Sequence, residues 1–211
     1  MKKIITKLCG FTNKETVDLA VECGADLVGF VFYAPSKRNI SAQEAGKISV
    51  DIPSNVKKVA VFVDLNDEDI AKIIENLKPD FLQIHSNDFS RILDIKNNFK
   101  IPIIKAFAII DEKDLEVVSQ YEEIADYFLF DAKTKEIGGS GKSFDWKVLD
   151  KLETAKKWLL SGGMDVDNIE KAIIQTGAKM VDLSSGIEET KGIKSKKLIK
   201  EFMNKIDSSN F

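Results

Sequence analysis

"VKKVAVFVDLNDEDIAKIIENLKPDFLQI", residues 56–84, is the stretch whose reading decides the fold. It opens on an apolar run at 56–63 and closes on another at 80–84. Between them lies "NDEDIAKIIENL", which has the helical period and starts on a capping residue, Asn66. The two flanking runs are nearly continuous in Val, Ile, Phe and Leu, without strict polar alternation. Buried parallel strands read this way, because helices cover the sheet. The segment is therefore one strand–helix–strand unit.

Working outward, the same alternation fills the chain. The apolar runs are "KIITKL" (3–8), "DLVGFVF" (26–32), "VKKVAVFV" (56–63), "DFLQI" (80–84), "IPIIKAFA" (101–108), "DYFLF" (126–130), "KKWLL" (156–160) and "KMVDL" (179–183). Helical segments between them include "NKETVDLAVECG", "SAQEAGKISVDI", "DEKDLEVVSQY" and "DVDNIEKAIIQTG", and a last helix is expected over 195–206. Asn13, Ser41, Asp111 and Asp165 are the expected caps, with a capping-box spacing from Ser41 to Glu44. Gly24 and Gly177 mark left-handed stops. Eight strand–helix units without a linker predict a (β/α)8 TIM barrel of the α/β class, one domain over residues 1–211. An open doubly wound sheet is the weaker alternative, since no GxGxxG follows the first run.

Composition narrows the function. With 31 basic and 34 acidic residues the net charge is −3, which argues against a nucleic-acid partner. The most basic run, "KGIKSKKLIKEFMNK", reads as the outer face of the last helix. No apolar run is long enough to span a bilayer, and "MKKIITKLCGF" lacks the features of a secretory signal. Cys9 and Cys23 are too few for a disulfide framework, so a reducing cytoplasm is expected. The single histidine, His85, belongs to no cluster with zinc spacing, and no metal is expected.

A barrel gathers its chemistry at the C-terminal ends of its strands. Cys9-Gly10 follows strand 1 and Asp131 follows strand 6. A thiol and a carboxyl at one mouth suit the base and acid of a proton shift along a sugar, although either alone reads equally as a packing or turn residue. "SGG" (161–163) and "SSG" (184–186) follow strands 7 and 8, where barrels hold phosphate on backbone N–H groups. Arg38 sits in the loop after strand 2, in a chain with only Arg38 and Arg91 among many lysines. A planar guanidinium there fits a carboxylate.

Taken together and in order, "KLCGFT", "GADLVGFVF" with "SKRNIS", "LQIHS", "LFDAKTKEIGGSGKSFDW", "LLSGGM" and "VDLSSGIEETKGIKSKKLIKEF" resemble the phosphoribosylanthranilate isomerase family of tryptophan biosynthesis. The resemblance runs from Lys7 to about Phe202. It implies a cofactor-free aldose–ketose isomerase acting by general acid/base catalysis. The reaction is the Amadori rearrangement of N-(5-phosphoribosyl)anthranilate to 1-(2-carboxyphenylamino)-1-deoxyribulose 5-phosphate. By the same resemblance Cys9 is the base and Asp131 the acid. Arg38, His85, Gly162, Gly163, Asp182, Ser184, Ser185 and Gly186 are expected to bind a small phosphorylated aminosugar. A cytoplasmic monomer or homodimer with no membrane contact is expected.

The chain departs from the family where "QIHS" (83–86) replaces the usual QLHG and where Lys37 replaces a proline before Arg38. Ser86 is expected to alter the turn after strand 4. Three alternatives compete. The histidine-pathway isomerase would want aspartates ending strands 1 and 5. The indole-forming barrel would want a catalytic lysine, for which Lys105 is a trace, and glutamates. A non-catalytic phosphosugar-binding barrel would leave both Cys9 and Asp131 without a purpose.

Overall fold

Asn66 ends the first half of the deciding stretch as expected. Its side-chain oxygen accepts from the backbone N–H of Asp69 at 2.8 Å, starting α3 (Asp67–Leu77) close behind β3 (Lys57–Phe62). Ile70, Ile73 and Leu77 of α3 are buried against the sheet, and the chain returns into β4 (Phe81–Ile84). The computed structural model describes residues 4–132 and 146–209. Expected features within 133–145, including most of "AKTKEIGGSGKSFDW", lie outside the described residues.

The unit repeats around a closed parallel barrel. The remaining strands are β1 (Ile5–Cys9), β2 (Leu27–Val31), β5 (Ile103–Ile109), β6 (Tyr127–Ala132), β7 (Lys157–Ser161) and β8 (Met180–Leu183). Each pairs with its successor in sequence, and β8 closes on β1 with Lys7 opposite Asp182. Because side chains alternate along a strand, one set faces the barrel axis and the other faces the helices. The inner set includes Cys9, Leu27, Val59, Val61, Ile104, Ala106, Leu129, Leu159 and Met180. Lys7, Asp131 and Asp182 share their parity, so these three polar side chains also point inward. The outer set, with Leu8, Val28, Phe30 and Phe62, packs under α1 (Lys14–Glu22), α2 (Ala42–Ile48), α3, α4 (Phe89–Phe99), α5 (Ile169–Thr176) and α6 (Lys196–Ser208).

Two local expectations are corrected, and two helix ends fall where no expectation had placed them. The segment "DEKDLEVVSQY" forms two 3-10 turns, Glu112–Leu115 and Val118–Tyr121, and no α-helix. Its apolar residues Leu115, Val118 and Tyr121 recur every third position, the 3-10 repeat, so they line one face. Trp146, Leu149 and Leu152 follow the same rule in the 3-10 turn Trp146–Lys151. Asp165 does not cap α5. It accepts from the N–H groups of Asp167 and Asn168, making a turn that delays the helix to Ile169. Finally, α3 and α4 stop on left-handed lysines, Lys78 (φ 51°) and Lys100 (φ 56°), where no glycine announces the end. Pro79 and Pro102 follow them, and proline just past a helix end is the remaining signal.

The basic C-terminal run takes the place expected of it from Lys196 onward, whereas Lys194 is buried in a short strand, Ile193–Lys194, before the helix. Ile199, Phe202, Met203 and Ile206 of α6 are buried, while Lys196, Lys197 and Lys205 pair with Glu15, Glu201 and Glu170. No helix among the described residues is long and apolar enough to cross a membrane.

Candidate active site

A cavity of about 470 Å³ opens at the C-terminal ends of the strands. Its lining includes Cys9, Arg38, His85, Asp131, Gly162, Gly163, Asp182, Ser184 and Ser185. All the expected site residues therefore meet in one space except Gly186. That residue acts by its lack of a side chain, since a Cβ there would overlap the carbonyl of Met164. Gly186 thus lets the loop after β8 lie directly on the loop after β7.

Both of these loops are held from within. Asn168 donates to the carbonyl of Gly163 at 2.9 Å and accepts from the N–H of Asp165 at 3.0 Å. Ser184 Oγ donates to the carbonyl of Cys9 at 3.1 Å, and Lys194 Nζ donates to the carbonyl of Ser184 at 2.8 Å. Gly162 and Gly163 of the β7 loop and Ser185 of the β8 loop line the cavity.

Arg38 lies over Gly10, where a Cβ would come within 2.6 Å of its Cδ. This accounts for the glycine that follows the cysteine. Nε and Nη2 of Arg38 donate to the two carboxylate oxygens of Glu188 at 2.6 and 2.9 Å. Glu188 begins β9 (Glu188–Thr190), which pairs with β10 (Ile193–Lys194) as a short hairpin. It also accepts from Lys194 Nζ at 2.9 Å and from the N–H of Gly192 at 3.1 Å. Burial alone would raise the Glu188 carboxyl, but these donors outweigh it and hold it down at about 2. A guanidinium has five N–H donors, and the bonds to Glu188 use those of Nε and one of Nη2.

Cys9 is 5% exposed. Burial pushes its thiol up; Lys7 and Lys194 oppose that rise and Asp182 adds to it. Lys7 is fully buried, with its Nζ 2.7 Å from Asp182 Oδ1. Burial would lower Lys7, yet Asp182 and Cys9 together carry it above the ordinary lysine range. Asp131 ends β6 opposite Ser161 of β7, on the inward face. The Gln83 side-chain amide nitrogen lies 2.9 Å from Nε2 of His85, the residue just past β4. Gln83 Oε1 finds no partner among the described residues, and Gln83 lines the cavity. Ser86 needs no left-handed backbone; its hydroxyl accepts from the N–H of Asp88, whose side chain caps α4.

Lys7, Gln83, Glu188 and Lys194 are among the polar residues of this mouth that the sequence reading did not single out. For Lys7 a signal existed: it stands two residues before Cys9 and therefore on the same face of the strand. Glu188 offered none beyond its place in "SSGIEETKG".

A closed (β/α)8 barrel with acid, thiol and cation-bearing side chains at its C-terminal mouth defines the class: a barrel enzyme, here an isomerase. The family model described as N-(5'-phosphoribosyl)anthranilate (PRA) isomerase matches residues 6–205, and the chain belongs to that family. It is 41% identical over 209 residues to the N-(5'-phosphoribosyl)anthranilate isomerase of Sinorhizobium fredii, covering 97% of this chain and 93% of the relative. The crystal structure of phosphoribosyl anthranilate isomerase from Thermotoga maritima superposes with a TM-score of 0.85 at 38% identity, covering 98% of this chain and 100% of that one. A phosphoribosyl anthranilate isomerase in complex with reduced 1-(o-carboxyphenylamino)-1-deoxyribulose 5-phosphate matches with a TM-score of 0.82 at 34% identity, covering 98% and 100%.

Proposed function

We propose that this isomerase of tryptophan biosynthesis carries out its Amadori rearrangement with Asp131 as general acid and Cys9 as general base. The observation that carries the reading is the shared cavity. A thiol and a carboxyl lie on inward faces of β1 and β6, with Arg38 and the β7 and β8 loops around the same space. A substrate with a carboxylate at one end and a phosphate at the other fits that layout. The relative bound to a reduced carboxyphenylamino-deoxyribulose phosphate supports the same substrate class for this chain.

Asp131 protonates the furanose ring oxygen as the C1–O bond breaks, and the nitrogen lone pair forms the iminium. Cys9, as thiolate, removes the proton from C2. The C–H electron pair becomes the C1=C2 double bond, and the iminium π pair returns to nitrogen. The enolamine then tautomerises to the ketone. Burial disfavours a thiolate at Cys9, so its counter-charges matter: Lys7 in the resting site and the substrate's iminium during the reaction. The far edge of Arg38 takes the anthranilate carboxylate, and N–H groups of the β7 and β8 loops take the phosphate.

The free thiols Cys9 and Cys23 support a cytoplasmic enzyme. The chain works as a monomer or a homodimer; a related Thermotoga maritima enzyme has been solved as monomers generated from a dimeric form. Fluorescence decay of phosphoribosylanthranilate tests the acid assignment. Asp131→Asn should lose about 100-fold or more in kcat, the range for a missing general acid. Near-normal turnover by that variant would remove Asp131 from the role.

A further inference from the structure

Lys7 and Cys9 leave β1 on the same inward face, one turn of the pleat apart. Their ends meet above β2. A Cβ placed on Gly29 would lie 2.6 Å from Cys9 Sγ and 3.2 Å from Lys7 Nζ, so both heads occupy the space that a side chain at 29 would take. Gly29 is the ladder partner of Cys9, which fixes this position. Lys7 Nζ donates to Asp182 Oδ1 at 2.7 Å, with the Cys9 thiol beside it over Gly29. Asp182 in turn accepts from Ser161 Oγ at 3.3 Å.

We propose that Lys7 is the positioning residue that holds Cys9 as a reactive thiolate, with Asp182 orienting the ammonium between them. This rests on Cys9 being the base. A buried ion pair is weak evidence of a stabilising role, because an apolar pair of similar volume often serves the fold as well. Of the ammonium's three donors one goes to Asp182, and the head shares the space beside Gly29 with the Cys9 sulfur. Lys7 keeps its proton throughout. It offsets the thiolate charge before proton transfer and is balanced by Asp182 afterwards. The other charges facing Cys9 are Lys194 on β10, Arg38 from the loop after β2 and, across the cavity, Asp131 on β6. Lys194 and Arg38 are both engaged by Glu188, whereas the Lys7 ammonium shares the space beside Gly29 with the sulfur.

The test measures the thiol itself. In a Cys23→Ser background, Cys9 alkylation by iodoacetamide is followed against pH by mass spectrometry, with circular dichroism confirming the fold. Two variants remove the charge: Lys7→Gln, which keeps a donor for Asp182, and Lys7→Met with Asp182→Asn, which leaves no orphaned carboxylate. Thiolate falls about tenfold for each unit by which the thiol pKa rises. At neutral pH, folded variants should alkylate at least about tenfold more slowly, and the basic limb of kcat/KM should move to higher pH with KM little changed. A folded variant of either kind that alkylates within about twofold of the parent at every pH overturns the proposal, since a purely structural lysine would leave the thiol unmoved. Cys9→Ser separates the two ideas. If it retains turnover, the base assignment fails; if it is inactive while the Lys7 variants titrate like the parent, only the role of Lys7 fails.

Discussion

Gly29→Ala probes the site through the smallest change the chain can carry. The backbone at Gly29 does not lie in the left-handed region, so an alanine is allowed there and the effect comes from the added methyl alone. That methyl would sit 2.6 Å from Cys9 Sγ, against an ordinary contact of about 3.6 Å. The sulfur must therefore move by about 1 Å, and Lys7 Nζ, at 3.2 Å, by a few tenths. A misplacement of about 1 Å in a reacting group costs roughly 100-fold in rate. Overpacking of this kind costs about 1–3 kcal/mol of stability, which leaves the barrel folded. The assay is the fluorescence decay of phosphoribosylanthranilate, run beside urea denaturation. The expected outcome is a folded protein with kcat down about 100-fold and a modest stability loss. A Gly29→Ala enzyme with kcat within about threefold of wild type would show that the thiol position at the end of β1 does not limit the reaction, and would refute this reasoning.

Other outcomes follow from the same geometry. Glu188→Gln weakens the fork that aims Arg38, so KM should rise about tenfold or more with kcat changed far less; a rise confined to kcat would contradict the role given to Arg38. Lys105 is fully buried on β5, with Nζ donating to the carbonyl of Ala106 at 2.6 Å and lying 4.3 Å from the Phe107 ring centroid. Burial holds it down at about 8. The unfolded chain, with lysine near about 10.4, binds more protons between those two values, so stability should rise with pH across that window. Lys105→Met should remove that rise and stabilise the protein at neutral pH by up to about 3 kcal/mol, read by denaturation at neutral pH and near pH 10. Parallel pH curves for the two proteins would contradict it.

How far the sequence reaches depends on what kind of contact is asked for. Strands buried under helices show in near-continuous apolar runs, and Asn13, Ser41 and Asn66 cap helices as their spacing implies. Cys9, Asp131, Arg38 and the β7 and β8 loops were legible because a barrel sends every strand end to one mouth. The charge networks were not. Lys7 meets Asp182 across 175 residues, and Arg38 meets Glu188 across 150, only because β8 closes on β1. The reading of Asp182 as a substrate contact also changes in weight: it lines the cavity, but one of its oxygens is held by Lys7 and the other by Ser161. The 3-10 turns were missed for a simpler reason. A three-residue repeat over a short segment looks like a helix until its length and packing are known.

The central claim is that the thiol ending β1 takes the C2 proton of the sugar. The most direct measurement is turnover of phosphoribosylanthranilate, generated in place from anthranilate and phosphoribosyl pyrophosphate, by wild type and by Cys9→Ser. The account predicts fast fluorescence decay with wild type and a kcat lower by several orders of magnitude with the serine. A serine variant that turns over near the wild-type rate, or a folded wild type that binds the phosphorylated ligand without converting it, would contradict it.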